Sequence, residues 1–488
     1  MLKPTSSEIQ SYAADYSMIP LCREIYADVT TPIALLRKIA QVSNRYCLLE
    51  SVEGGERWGR YSFLGYDPLI HIVCKDHVVT TEYADGRRES VTTDQPNDIL
   101  RALMAQYKAP RIEGFPPFTG GLVGYYAYRM IGYAEPTLHL RSSDVDDFDL
   151  MLFDKVIAYD HLSQKINVIV NMPTDNVLEN YGTARAEIEK MIRLIREPMQ
   201  LSTAHKHCKP QFTCNVTKEE YCDIVNKTKQ HIVDGDIFQA VLSRRFETPY
   251  TDSLLDAYRV LRTTNPSPYM VYLHRDDIEL MSTSPETLVR LRNGRLSTFP
   301  VAGSRPRGAD KEEDLALEKD LLSDEKELAE HNMLVDLGRN DIGKLSQFGS
   351  VEVTDYQMIH RYSRIMHITS VVEGNILPKF DAFDAISTLL PAGTLSGAPK
   401  IRACEIIEEL EPCARGVYGG ALGYVDFTGN MDTCIAIRMA VKKNDRVTIQ
   451  AGGGIVADSV PENEYMESQN KAGAVIAAIE RAAEVDAD

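Results

Sequence analysis

Apolar positions along this chain recur with two spacings. Residues 46–51, 61–66 and 156–159 alternate or run apolar over four to six positions, which predicts short strands. Between them the spacing lengthens to three and four, which predicts helices over 32–42, behind Thr31, and over 174–196. Residues 197–210 show no apolar period and carry two prolines, so a boundary falls there, with 201–211 as a linker between regions 1–200 and 212–488. Beyond it, Thr217-Lys-Glu-Glu220 has the form of a capping box that opens a helix to about Asp234. Late in the chain three strand-like runs, 418–426, 433–441 and 447–456, are separated by Phe427-Thr-Gly-Asn430 and Lys443-Asn-Asp445, which predicts an antiparallel meander. Strands and helices alternate without an internal repeat, so the pattern points to a mixed α and β protein.

Two helical runs carry glutamates three residues apart, Glu327 with Glu330 and Glu464 with Glu467, and each pair therefore projects from one helical face. The first run is bounded by Ser323 as N-cap and Gly338 as stop; the second begins at Pro461. Oxygen-only donors suit a hard cation such as Mg2+, although solvated surface is the common fate of such pairs. In 433–441 strict alternation places Arg438 beside Cys434, Ala436 and Ala440, where it either receives a carboxylate or forms an internal ion pair. Gly452-Gly-Gly454 inside a strand reads as a bulge or as a close backbone approach. Pro391-Ala-Gly-Thr-Leu-Ser-Gly-Ala-Pro-Lys400 is a rigid loop ahead of a helix, able to offer backbone amides and Thr394 to an anion. His367 lies in a strand-like run, as a core residue or a base.

Composition narrows the function classes. With 53 Lys+Arg against 71 Asp+Glu the net charge is −18, which opposes broad contact with nucleic acid or anionic lipid. Nine cysteines are scattered without a Cys-x-x-Cys pair, as expected of reduced thiols in the cytoplasm. No apolar run is long enough to span a bilayer.

Five motifs in order change the picture further. Pro300-Val-Ala-Gly-Ser-Arg-Pro-Arg-Gly308, Glu327-Leu-Ala-Glu-His-Asn-Met-Leu-Val-Asp-Leu-Gly-Arg-Asn-Asp341, the 391–400 loop, Tyr418-Gly-Gly-Ala-Leu-Gly-Tyr424 and Ala451-Gly-Gly-Gly-Ile455 together resemble the signatures of the chorismate-utilising enzymes over about 212–482. The first part, through Leu48-Leu-Glu-Ser51, and Asn265-Pro-Ser-Pro-Tyr-Met270 resemble the anthranilate synthase component I members of that family. The resemblance implies an α+β fold in which two interwoven α/β subdomains form a β-sandwich flanked by helices. It implies Mg2+ held by Glu330 and Glu467 with Glu327 and Glu464 close behind. Chorismate would be bound by Gly303, Ser304, Thr394, Tyr418, Arg438, Gly452, Gly453, Gly454 and Lys471, with Glu327 as general acid and His367 as base. Ser304 stands where the family usually has threonine. Gln239 and Ala302 replace lysines that deliver other nucleophiles, which favours ammonia over water or a covalent lysine adduct. The chain has no glutaminase motif, so a glutamine amidotransferase subunit is the implied partner. Glu50, Ser51, Pro268, Tyr269 and Met270 are implied to bind tryptophan as inhibitor. An aminodeoxychorismate synthase-like enzyme and a non-catalytic amino-acid sensor are the alternatives.

Overall fold

A computed structural model describes residues 2–28, 30–51, 59–198, 209–361 and 365–485. Their strands form two sheets, of thirteen and twelve strands, and neighbours pair antiparallel. The larger sheet joins Arg45–Glu50 and Tyr61–Tyr66 to Tyr269–Arg275, Ile278–Ser284, Met439–Lys443, Arg446–Ile455 and Gln239–Pro249. The smaller joins Gly121–Tyr126 to Ala421–Asp426, Met431–Ile435, Thr287–Arg292 and Ile365–Asn375, with Val301–Pro306 at its edge. Each sheet thus draws strands from both sides of the 201–211 linker, most of which lies outside the described residues. The two stretches 1–200 and 212–488 meet at the seams Met270↔Glu50 in one sheet and Leu422↔Tyr125 in the other.

The sheets pack face to face. Leu49, Phe63, Val271, Leu280 and Met439 from the larger sheet share one buried cluster with Val123, Phe153, Leu422 and Cys434 from the smaller. Helices Pro32–Ile39, Val177–Arg196, Leu254–Thr264 and Pro461–Glu480 bury their apolar stripes on the outer face of the larger sheet. Glu325–Leu345 and Ala382–Leu389 do so on the smaller. The fold is α+β, an interwoven sandwich flanked by helices. Being covered on both faces explains why Tyr61–Tyr66 is buried at five successive positions and reads as an apolar run rather than as alternation.

Three local expectations are corrected. Residues 433–441 are not one strand: Met431–Ile435 belongs to the smaller sheet, Met439–Lys443 to the larger, and Arg438 between them has φ +49°. The expected meander is therefore two hairpins in different sheets, 421–435 and 439–455. Helix Glu325–Leu345 is capped by Asp324, whose carboxylate accepts from the Lys326 and Glu327 amides, while Ser323 ends the preceding helix. That helix also runs through Gly338, where a Cβ would stand 3.1 Å from Thr298 Cγ2, so this glycine permits close packing rather than a stop. Finally, Gly452-Gly-Gly454 is no bulge, because the register from Ala240↔Ile455 to Pro249↔Arg446 has no break.

Candidate active site

The chain passes between sheets at two adjacent places, and both carry a charged side chain. It leaves the larger sheet at Ser284 and enters the smaller at Thr287, with Pro285 and Glu286 as the crossing; it returns through 436–438. The crossings are tied together, since Ile435 N donates to Glu286 O (3.0 Å), Thr283 N to Arg438 O (3.1 Å) and Ser282 Oγ to Ile437 O (2.9 Å). Strands that switch sheets leave a corner of the sandwich open, and the remaining motifs gather at this corner.

Arg438 is mostly enclosed, and its NH1 donates to the Lys471 carbonyl at 3.2 Å. Among the described residues no carboxylate hydrogen-bonds or ion-pairs with it, although Glu467 acts on it from a distance, so a direct internal ion pair is removed as an explanation. Burial lowers its pKa. Tyr418 lies alongside: burial pushes its phenol up to about 12, against the pull of Arg415, of Arg438 and of the Gly452 N–H. Guanidinium and phenol, the latter held by the Gly452 amide, together form a donor set for one carboxylate.

The three glycines serve three neighbours. A Cβ on Gly452 would collide with Leu242 O at 1.9 Å, and one on Gly454 with Gln239 Nε2 at 2.3 Å. On Gly453 it would face Glu464 Oε2 at 3.0 Å and Glu467 Oε1 at 3.4 Å. Lys471 joins the group, donating to Gly452 O at 3.0 Å and pairing with Glu467 at 2.6 Å.

Opposite, Gly303 sits at φ +71° in the register shift between Ala302 and Ser304. Its carbonyl accepts from His367 Nδ1 at 3.1 Å, and a Cβ there would approach Glu327 Oε2 at 3.1 Å. Because the carbonyl only accepts, Nδ1 carries the proton and Nε2 is the basic nitrogen. Burial first, and Arg438 as well, lower the His367 pKa and keep the ring neutral. Ser304 is exposed and pairs across the sheet with His367, while Ala302 is buried.

The glutamate pairs lie at the N-terminal parts of two helices, near enough for Lys326 of one to act on Glu464 of the other. Burial raises the pKa of Glu327, helped by Glu330, and that of Glu464, helped by Glu467. Among the described residues no three such side chains converge as a closed cage. The donor chemistry nevertheless fits a hard cation: four carboxylates, mutually repelling, only partly balanced by Lys471, Lys326 and Arg305.

One residue escaped the sequence reading. The Glu286 carboxyl accepts from Thr394 Oγ1 at 2.8 Å, and burial pushes it up to about 7 against the pull of Thr394 and Lys471. Thr394 thus contacts a carboxylic group, not an open loop. The sequence signal is Pro285, which interrupts an otherwise continuous strand pattern and leaves one carboxylate between two apolar runs.

Away from this corner, a cavity of about 350 Å³ unites Glu50, Ser51, Pro268, Tyr269 and Met270 at the seam between the first and second parts of the chain. Glu50 is itself engaged, by Arg262 Nε at 2.7 Å and the Tyr258 hydroxyl at 2.9 Å, so its charge is compensated within the wall. Tyr269 reaches from the cavity to Asp432 (2.7 Å) and to Thr287 (3.0 Å), the residue after Glu286.

Comparison with known proteins bears on the family and the fold. A family model described as chorismate binding enzyme matches residues 47–477. Anthranilate synthase component 1 of Acetivibrio thermocellus is 46% identical over 99% of this chain and 100% of its own. That of Pseudomonas aeruginosa is 45% identical over 97% and 98%. Among solved structures, anthranilate synthase component I from Streptococcus pneumoniae TIGR4 superposes with a TM-score of 0.77 at 37% identity, over 87% of this chain and 95% of that one. The menaquinone-specific isochorismate synthase from Escherichia coli shares the fold, with a TM-score of 0.70 at 17% identity over 97% and 98%. With motifs, fold and relatives of nearly equal length in agreement, the chain belongs to the chorismate-binding enzymes, in the branch of anthranilate synthase component 1.

Proposed function

We propose that the protein converts chorismate and ammonia to anthranilate and pyruvate, the entry to tryptophan synthesis, in a Mg2+-dependent reaction in the cytoplasm. The observation that carries this reading is the buried Arg438 guanidinium, which among the described residues makes no hydrogen bond or ion pair with a carboxylate, flanked by Tyr418 and set between paired carboxylates and a neutral histidine. These donors hold the enolpyruvyl carboxylate. Glu330 and Glu467, with Glu327 and Glu464 behind them, would hold Mg2+, which supplies positive charge for the ring carboxylate. Gln239, buried beneath Gly454, cannot activate water, and buried Ala302 cannot attack, so an external amine is the nucleophile. The proton for the departing C4 hydroxyl was expected from Glu327. Glu286 suits that task better, because a carboxyl held near neutrality by burial and oriented by Thr394 keeps its proton until it is needed. Neutral His367 then takes the C2 proton as pyruvate leaves and the ring becomes aromatic.

The name component 1 carried by the relatives supports a second component, a glutaminase subunit that supplies ammonia. The seam cavity, large enough for an amino acid, supports feedback inhibition by tryptophan. The two-step chemistry has its own test. In His367→Ala, amination persists while elimination slows by about 100-fold or more, so 2-amino-2-deoxyisochorismate accumulates and is seen by mass spectrometry. Anthranilate formed at the wild-type rate would remove His367 from the mechanism.

A further inference from the structure

Behind Glu286 lies a second, much smaller cavity of about 50 Å³, between helix Glu325–Leu345, the 389–394 segment and the smaller sheet. It is too small for chorismate and has room for about one or two water-sized molecules. Its walls are mixed, with Phe299, Leu334, Leu389 and Ile435 standing among threonines and two carboxylic side chains, and two glycines keep it narrow: a Cβ on Gly393 would meet Leu337 Cδ1 at 2.9 Å, and one on Gly338 would meet Thr298. Leu337 and Gly338 keep partial exposure at the rim. Other polar groups on the wall are engaged, Thr298 with Leu288 O (3.1 Å), Thr287 with Tyr269, and Asp341 with Lys400 (3.2 Å) and Lys344 (3.3 Å). The Glu286–Thr394 pair lines the same space.

We propose that this cavity admits ammonia and holds it next to Glu286, an assignment that rests on the amination reading above. A neutral amine of the size of water fits this space beside the Glu286–Thr394 pair, against the apolar side chains of Phe299, Leu334, Leu389 and Ile435. The proton balance closes on Glu286. A bond forms between nitrogen and C2 as the C4–O bond breaks; the hydroxyl takes the Glu286 proton and departs as water. The new C–NH3+ centre returns one proton to the carboxylate, which leaves a neutral amine and a regenerated acid.

The test uses the full chain with chorismate, Mg2+ and ammonium chloride at fixed alkaline pH. Leu337→Phe, which narrows the rim, raises the KM for ammonium by about tenfold or more with the chorismate KM unchanged. Leu337→Ala widens it, leaves the ammonium KM at or below the wild-type value, and forms N-methylanthranilate from methylamine, detected by mass spectrometry. An ammonium KM that does not move in Leu337→Phe, or moves only together with the chorismate KM, overturns the assignment. If Leu337→Phe does not fold, absence of the methylated product with Leu337→Ala overturns it. A wild-type protein that forms no anthranilate at all overturns the amination reading instead.

Discussion

Enclosing a carboxyl at a sheet crossing disfavours its ionised form, and Glu286 shows the consequence for both stability and chemistry. Its value rises from 4.5 in an ordinary glutamate to about 7, chiefly through burial. Below pH 4.5 the group is protonated in folded and unfolded chains alike. Between the two values the unfolded chain ionises first, so stability falls as pH rises, and above about 7 the whole contribution is lost, on the order of 3 kcal/mol. Glu286→Gln removes this dependence: at pH 8 the variant melts above wild type, near pH 4.5 it melts alike, and its turnover falls by about 100-fold or more. Equal melting at both pH values would contradict the burial argument. At this scale the sequence was legible where spacing carries meaning, as in the glutamate pairs and the glycine triplet. It was not legible for Arg438, because its positive φ and the sheet change at 436–438 leave no mark in an alternating run.

Element by element, the corner depends on helix Pro461–Glu480 lying at one height on the larger sheet. Arg244, 1% exposed, fixes that height by donating to Ser468 Oγ (2.8 Å), Tyr465 O and Gln469 Oε1 (both 3.0 Å) while stacking on the Tyr465 ring. Glu464 and Glu467 are carried into position by this anchoring, whereas their own side chains contribute little packing. Glu330→Gln and Glu467→Gln therefore leave the melting temperature nearly unchanged and raise the Mg2+ concentration for half-maximal binding, followed by titration calorimetry, by about tenfold or more. Unchanged Mg2+ binding in both variants would withdraw the metal assignment. Helix boundaries were readable where a side chain caps them, as at Thr217, whose capping box forms as expected. They were misread at Gly338, whose role is set by Thr298, far away in sequence.

For the whole molecule, the interwoven sheets place the seam cavity and the candidate active-site corner in one sandwich, joined through Tyr269, Thr287 and Glu286. No local pattern could show that strands from both parts of the chain interleave, since pairings such as Met270↔Glu50 span more than two hundred residues. The family motifs supplied that arrangement. Under the proposed regulation, tryptophan in the cavity would favour a low-activity state by about 1 to 3 kcal/mol, typical of coupling between sites. Ser51→Phe, which fills the cavity, keeps its turnover of chorismate and loses inhibition by tryptophan by about tenfold or more in midpoint. Inhibition equal to wild type would separate the cavity from regulation. The account as a whole turns on one measurement: anthranilate fluorescence from the purified protein with chorismate, Mg2+ and ammonium at alkaline pH. Fluorescence that grows with time and stops on chelation of the metal is the predicted result; chorismate left intact, or turned over without anthranilate, would contradict it.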